Sequence, residues 1–354
     1  MALPELMVHG DRILHNVREV VRRCGAAGVN LWGVTKGLCG NPRVGRLFLE
    51  GGCAALADSR VRNLRGLREA GIHAPLYLIR IPMEQELEEL VEVADGALVS
   101  MGETLEALEE LCRSRGRTFR AVVMVDVGDL REGVLPEELE SLGRRCAALR
   151  HVVVEGLGTN LGCFGGILAT PENLTELLQG AERFREASGL EAPLVSGGAT
   201  LSLKLLEEGT LPRGINHLRV GEALLLGTDS TGMRTIPYLN QETMEIRAQV
   251  VELRRKPSVP RGIVGVDAFG AVPSFEDRGN RRRAILALGK QDVRLEGLTP
   301  LEPGVEILGG SSDHLVCDVE EVPALQLGDV LTFRPNYGAM LAAATSPYLD
   351  LRVL

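Results

Sequence analysis

"LWGVTKGLCGNPRVGRLFLEGG", residues 31–52, opens as an unbroken apolar run. It turns polar at Lys36, passes Gly37, Cys39, Gly40 and Pro42, and resumes as an amphipathic helical pattern that ends in glycine. An apolar strand followed directly by such a helix is half of a parallel βαβ unit, because only a strand covered on both faces can be apolar throughout. The unit recurs. Further strand-like runs are "AALAD" (54–58), "PLYLIR" (75–80), "GALVS" (96–100), "RAVVMVD" (120–126), "HVVVEGLG" (151–158), "APLVS" (192–196) and "HLRV" (217–220). Helical stretches such as "SRVRNLRGLREAG" and "GETLEALEELCRSRG" separate them, and their terminal glycines are typical helix stops. Eight such strands predict a closed barrel rather than an open doubly wound sheet. The absence of a GxGxxG fingerprint after the first strand points the same way.

Beyond Tyr238 the texture changes to short strand-like runs between Gly and Pro turns: "ETMEIRAQVVELR", "RRAILALG", "DVRLEGLTPL", "VEILGGSSDHLVCDV" and "GDVLTFRPN". The expected architecture is therefore α/β, a (β/α)8 TIM-type barrel over residues 1–235 followed by a C-terminal β domain over 236–354. "MRTIPYLNQ" (233–241) is the expected joint, and residues 1–9 are a candidate strand for the β domain.

Charge and composition narrow the partners. A net charge of −9 and a pI near 5.4 argue against nucleic acid or an anionic membrane surface. The one tight basic run, Arg281, Arg282 and Arg283, reads as a solvated or interface patch. The opening "MALPELMVHGDRIL" lacks the basic start and apolar core of a signal peptide. No apolar run approaches the ~20 residues of a membrane span. Seven cysteines without CxxC pairs fit reduced thiols in a cytoplasmic protein better than a disulfide framework.

Barrel enzymes carry their chemistry at the C-terminal ends of the strands and bind phosphate with the last two loops. Lys36 ends the first strand. It can be a snorkelling surface lysine, or a desolvated amine held to form a Schiff base with a carbonyl cofactor. The seventh strand runs into "SGGATLSLKLL", where Ser196 and Thr200 offer hydroxyls and Gly197 and Gly198 let backbone N–H groups approach an anion. The eighth runs into "RVGEALLLG", where Gly221 opens the next loop.

"VTKGLCG" (34–40), "ADSRVRNL" (57–64), "VDVGDLREG" (125–133), "GLGTNLGCFGG" (156–166), "SGGATLSLK" (196–204) and "HLRVGEALLLG" (217–227) together resemble the barrel of fold-type III pyridoxal-phosphate enzymes. Within that group the chain resembles the alanine racemase superfamily, and its ornithine racemase-like branch above all. "VDAFGAVPSFEDRGNRRRAILALGKQDV" and "LGGSSDHLVCDVE" extend the likeness into the C-terminal region. The resemblance implies a pyridoxal 5′-phosphate-dependent racemase that interconverts L- and D-amino acids, with basic ones such as ornithine or lysine ahead of alanine or serine. It implies a homodimer with shared active sites, in which each β domain caps the partner's barrel.

It also implies roles for particular residues. Lys36 holds the cofactor and acts as acid–base on one face of the substrate. Arg219 faces the ring nitrogen and, being always charged, keeps that nitrogen unprotonated. Arg131 steadies the substrate. Ser196, Gly197, Gly198, Thr200 and Gly221 lie where the family binds phosphate, and Asn160 stands where alanine racemases carry a histidine near the ring. Two further departures are "GLCGN" in place of a tyrosine that touches phosphate, and Phe269 in place of the tyrosine that supplies the second base. A phenylalanine cannot transfer a proton.

A two-base racemase needs a donor on the opposite face. The candidates are Asp267, Asp313, His314 and Tyr337 of the β domain, with Cys39 of the barrel. His314 has the most suitable intrinsic pKa, and Asp313 adjoins it. His314 and Cys317 also raise a metal-assisted dehydratase or aldolase as an alternative. Positions three apart on a strand face opposite ways, so no metal is assigned. A non-catalytic pyridoxal-phosphate carrier is the remaining alternative. Asp126, Asp129, Glu132 and Asp267 are candidate partners for a substrate side-chain ammonium. Arg80 is a candidate for the substrate carboxylate or the cofactor.

Overall fold

The computed structural model describes residues 3–354. The chain divides into two compact units, Gly10–Gln241 and Glu242–Leu354, the latter joined by the N-terminal strand that ends before His9.

After β1 (Glu5–Val8), the first unit builds a closed parallel barrel. Its strands are β2 (Asn30–Val34), β3 (Ala55–Asp58), β4 (Leu76–Leu78), β5 (Gly96–Val99), β6 (Phe119–Met124), β7 (Val152–Gly158), β8 (Leu194–Ser196) and β9 (His217–Val220), each pairing with the next and β9 with β2. Each of the eight apolar runs supplies one strand. Helices lie before and between them: α1 (Gly10–Ala26), α2 (Pro42–Glu50), α3 (Val61–Glu69), α4 (Leu87–Val93), α5 (Gly102–Arg115), α6 (Leu139–Cys146), α7 (Pro171–Ser188) and α8 (Leu203–Glu208). A short helix α9 (Glu222–Leu226) and the hairpin of β10 (Thr228–Asp229) and β11 (Arg234–Thr235) follow β9.

Inward-facing Trp32, Val34, Ala55, Ala57, Tyr77, Leu98, Val122 and Met124 pack into one cluster. Trp32 stacks on Tyr77 with ring centroids 3.7 Å apart. The Tyr77 hydroxyl is satisfied by Glu155 at 2.8 Å. The barrel is thus a filled core, which leaves the loops at its ends for chemistry.

The second unit is a largely antiparallel sheet. Its strands are β12 (Met244–Pro257), β13 (Asn280–Leu286), β14 (Leu298–Pro300), β15 (Glu306–Gly310), β16 (Leu315–Asp318), β17 (Val330–Pro335) and β18 (Asp350–Val353), in the order β14-β17-β12-β13-β16-β15. β1 joins this sheet, antiparallel to β12 and parallel to β18. The buried Glu5 on β1 is compensated by Arg247 at 2.7 Å and Arg352 at 3.3 Å.

Two details differ from the sequence reading. Most of "DVRLEGLTPL" is not strand: Leu295–Gly297 forms a single 3-10 turn, and only Leu298–Pro300 pairs. Tyr337–Thr345 forms an additional helix, α10, started by the Asn336 side chain, which accepts from the Ala339 N–H at 2.9 Å. Residues 263–275 carry no regular structure and expose Ile263, Val264, Val266, Phe269, Val272 and Phe275. Among the described residues no helix is long and apolar enough to cross a membrane.

Candidate active site

Lys36 is launched from a rigid corner. After β2, Lys36–Leu38 make one 3-10 turn, and Cys39 takes a left-handed conformation at φ 53°. Gly40 follows at φ 66°, where a Cβ would lie 2.7 Å from that of Asn63, so the position requires glycine. Asn41 then caps α2, accepting from Arg43 and Val44, with Pro42 in the first turn. The residue before the lysine is also held: the Thr35 hydroxyl donates to Asp58 Oδ2 at 2.7 Å. Asp58 Oδ1 accepts from Asn63 Nδ2 at 2.8 Å and from the Arg60 N–H at 3.1 Å.

Lys36 itself is half-buried. Desolvation depresses its amine pKa; Cys163 opposes this, Arg131 reinforces it, and Asp58 and Glu132 oppose it more weakly. Burial likewise pushes the Asp58 carboxyl up.

Alternation along β9 turns His217 and Arg219 to the same side. Arg219 is 4% exposed, and its guanidinium is held by neutral acceptors. Nη1 donates to the Ser196 hydroxyl, and Nη2 donates to the Thr159 carbonyl at 2.7 Å. Burial lowers its pKa to about 10, with Glu132 and Cys163 acting against the shift. His217 is buried, with Nδ1 2.8 Å from Ser196 Oγ.

The loop after β8 is tied to its surroundings through its own backbone. The Gly197 N–H donates to the His217 carbonyl at 3.0 Å, and the Ser202 hydroxyl donates to the Gly197 carbonyl at 2.6 Å. Gly198 adopts φ 105°, and a Cβ there would come within 2.9 Å of Ser202 Oγ. Thr200 Oγ1 accepts from the Ala223 N–H at 3.2 Å, joining this loop to the one opened by Gly221. After β7, Thr159 Oγ1 and Asn160 Nδ2 are buried without a partner among the described residues. Two orphaned polar atoms beside a buried guanidinium mark a place where a polar ligand would be stabilised.

Arg131 and Glu132 form a two-point ion pair, with closest approach 2.6 Å. Burial raises the Glu132 pKa, while the positive charges of Arg131, Arg219 and Lys36 draw it down. Lys36, Arg131, Glu132 and Arg219 therefore share one electrostatic neighbourhood at the C-terminal ends of the barrel strands.

Two acidic candidates are already engaged. Asp129 accepts from the N–H groups of Gly162, Phe164 and Gly165, each at 3.1 Å. Asp126 Oδ1 accepts from Gly128 at 2.8 Å and Leu130 at 3.2 Å. Both carboxylates shape loops. Arg80 is occupied by Glu86 and the Ser59 carbonyl.

The remaining candidates belong to the other unit. Asp313 and His314 lie on the exposed turn between β15 and β16, with His314 Nδ1 3.5 Å from Asp313 Oδ1. The Ser311 and Ser312 hydroxyls hold the Asp313 carboxyl below its usual range. Cys317 is buried and its thiol is pushed up to about 12. Asp267 caps its own turn, accepting from Phe269 and Ala271 at 2.9 Å.

Sequence reasoning passed over Asp58, Thr159, Cys163 and His217. The terminal acid of "AALAD" and the alternation of "HLRV" were the available signals for Asp58 and His217.

Residues 8–229 match the family model described as the alanine racemase N-terminal domain. The chain is 42% identical over 350 residues to a lysine racemase of Thermotoga maritima, covering 99% of this chain and 98% of that protein. It is 37% identical over 353 residues to an ornithine racemase of Acetoanaerobium sticklandii, covering 99% of each. Among solved structures it shares its fold with an alanine racemase from Corynebacterium glutamicum, with TM-score 0.77, 18% identity and full coverage of both chains. A D-threonine aldolase from Filomicrobium marinum also shares the fold, with TM-score 0.72, 20% identity, 97% of this chain and 88% of that one.

Proposed function

The chain belongs to the alanine racemase family and is a pyridoxal 5′-phosphate-dependent amino-acid racemase; we propose that its substrates are basic amino acids, lysine and ornithine first. The observation that carries the reading is a half-buried amine and a buried guanidinium held by neutral acceptors, Lys36 and Arg219, in one electrostatic neighbourhood. Full-length likeness to a lysine racemase and an ornithine racemase supports the choice of substrates.

The barrel residues suit this cofactor. Orphaned Thr159 Oγ1 and Asn160 Nδ2, the Gly197–Gly198 turn and the hydroxyl of Thr200 offer polar contacts around a buried cation. In this reading the Gly197–Gly198 turn, Thr200 and Gly221 hold the phosphate end, while Asn160 and Arg219, the latter braced by the Ser196 hydroxyl, hold the ring. When bound, pyridoxal 5′-phosphate supplies a carbonyl carbon for an amine and a conjugated ring that withdraws electrons from the substrate α-carbon.

The chain's own residues do the rest. The Lys36 amine, depressed by burial, is neutral at lower pH than an exposed lysine. It can therefore take a proton from the α-carbon on its face and return it. Arg219 would donate a hydrogen bond at the ring nitrogen without giving up a proton, which would limit electron withdrawal and favour reprotonation of the α-carbon over side reactions. Arg131 neutralises the substrate carboxylate, with Glu132 balancing the local excess of positive charge.

On the opposite face we assign the proton to His314, whose Nδ1 lies 3.5 Å from Asp313 Oδ1. Both would come from the partner copy of a homodimer with shared active sites. The exposed apolar side chains of residues 263–275 support such an assembly, since patches of this kind mark protein–protein contacts. Seven cysteines, none in a disulfide among the described residues, accord with a cytoplasmic location.

A panel of L-amino acids, incubated with enzyme and pyridoxal 5′-phosphate and read by chiral chromatography, tests the reading. D-lysine and D-ornithine should form faster than D-alanine or D-serine. Ammonia and a keto acid, lost on treatment with chelator, would instead identify a metal-dependent dehydratase.

A further inference from the structure

The geometry points to His217 as a positioning residue for the reaction: through the Ser196 hydroxyl it fixes the guanidinium of Arg219, and with it the hydrogen bond offered to the cofactor's ring nitrogen. The inference rests on the racemase reading above and extends it to a residue one layer further into the barrel.

Arg219 is anchored at two points of unequal stiffness. The Thr159 carbonyl, 2.7 Å from Nη2, is backbone and fixed by the end of β7. Ser196 Oγ, which accepts from Nη1, is a side-chain rotor. A hydroxyl that already accepts from a guanidinium still has its own proton to place, and His217 Nδ1 lies 2.8 Å away. In the proposed arrangement the Ser196 O–H donates to Nδ1, which places the ring proton on Nε2.

The neutral ring is held in place from two sides. Burial and the positive charge of Arg219 both hold His217 neutral. Trp32 meets the imidazole edge-on with centroids 4.3 Å apart, and is itself stacked on Tyr77, so the ring cannot turn freely. Its Nε2 has no partner among the described residues, so the polar contact that orients the ring is the one to Ser196.

Two substitutions separate positioning from packing. His217→Phe keeps a ring against Trp32 and removes the acceptor; His217→Asn keeps an acceptor near the Nδ1 position. Each is loaded with pyridoxal 5′-phosphate labelled with 15N at the ring nitrogen, and both the 15N shift and kcat are read. In His217→Phe the shift should move toward the protonated form and kcat should fall roughly tenfold or more, while His217→Asn stays near wild type. A cofactor-loaded His217→Phe protein with the wild-type shift and kcat would overturn the proposal and leave the racemase reading intact.

Should His217→Phe fail to fold, the side-chain 15N spectrum of His217 in the unsubstituted protein decides. Protonation at Nε2 supports the proposal and protonation at Nδ1 sinks it. A wild-type protein that takes up no cofactor overturns the racemase reading, and this proposal with it, before any variant is made.

Discussion

Thr35, the residue before Lys36, donates its hydroxyl to Asp58 Oδ2 at 2.7 Å, so the end of β2 is tied to the end of β3 one residue before Lys36. Asp58 also accepts from Asn63 and Arg60. Asp58→Ala would take the acceptor from Asn63 and the Arg60 N–H and leave the Thr35 hydroxyl only the Ala57 carbonyl at 3.3 Å, and should cost about 2–4 kcal/mol of stability. Asp58→Asn keeps an oxygen for Asn63 and Arg60 and an amide for Thr35, and should cost about 1 kcal/mol or less. Denaturant unfolding of the two variants measures the difference. Equal losses would mean that the charge, rather than the hydrogen bonds, matters there.

Glu132 tunes Lys36. Its negative charge is among those that raise the amine pKa against desolvation, so Glu132→Gln should lower that pKa further. The midpoint for labelling Lys36 by an amine-reactive probe in cofactor-free protein should then move to lower pH. A midpoint moving to higher pH would contradict the electrostatic account of the site.

The loop at residues 162–165 hangs on one carboxylate. Asp129 is 1% exposed and accepts three backbone N–H groups from it. Asp129→Asn places an amide against one of those donors. Hydrogen exchange at Gly162, Phe164 and Gly165 should accelerate roughly 10- to 100-fold, as expected for losing about 1–3 kcal/mol of local protection. Exchange unchanged at all three amides would show that the loop is held by other contacts.

Gly198 tests the proposed phosphate loop. At φ 105°, an alanine is strained and its Cβ meets Ser202 Oγ at 2.9 Å. Gly198→Ala should weaken binding of pyridoxal 5′-phosphate about tenfold, corresponding to about 1.4 kcal/mol of strain at the loop. Fluorescence titration of cofactor-free protein gives the constant, and an unchanged value would remove this loop from the binding site.

Much of this was legible in the sequence because parallel strands advertise themselves. Each apolar run became one barrel strand, so Lys36 and the loop from Ser196 could be placed at strand ends, whereas the roles of Lys36 and Arg219 came only from the family resemblance. What escaped depends on contacts across the fold. An aspartate closing "AALAD" looks like an ordinary helix cap, and part of its work is that: it accepts from the Arg60 N–H at the start of α3. Nothing local shows that it also reaches Thr35. The Asp129 clamp spans more than thirty residues, so "VDVGDLREG" offered four acidic or basic side chains with no means of ranking them. His217 was read as one more strand residue because its significance lies in Ser196, which comes from a different strand. In the C-terminal unit, "DVRLEGLTPL" has the composition of a strand but bends through Leu295–Gly297 before pairing, and α10 was hidden behind the turn-like "RPNYG".

The central claim, that Lys36 moves the α-proton of a basic amino acid, is tested most directly by incubating L-lysine with the cofactor-loaded enzyme in D2O. The D-lysine formed should carry deuterium at the α-carbon, as mass spectrometry after chiral separation will show. Lys36→Ala should form it at least about 10⁴-fold more slowly. D-lysine that retains its original α-hydrogen, or formation at the wild-type rate without Lys36, would contradict the account.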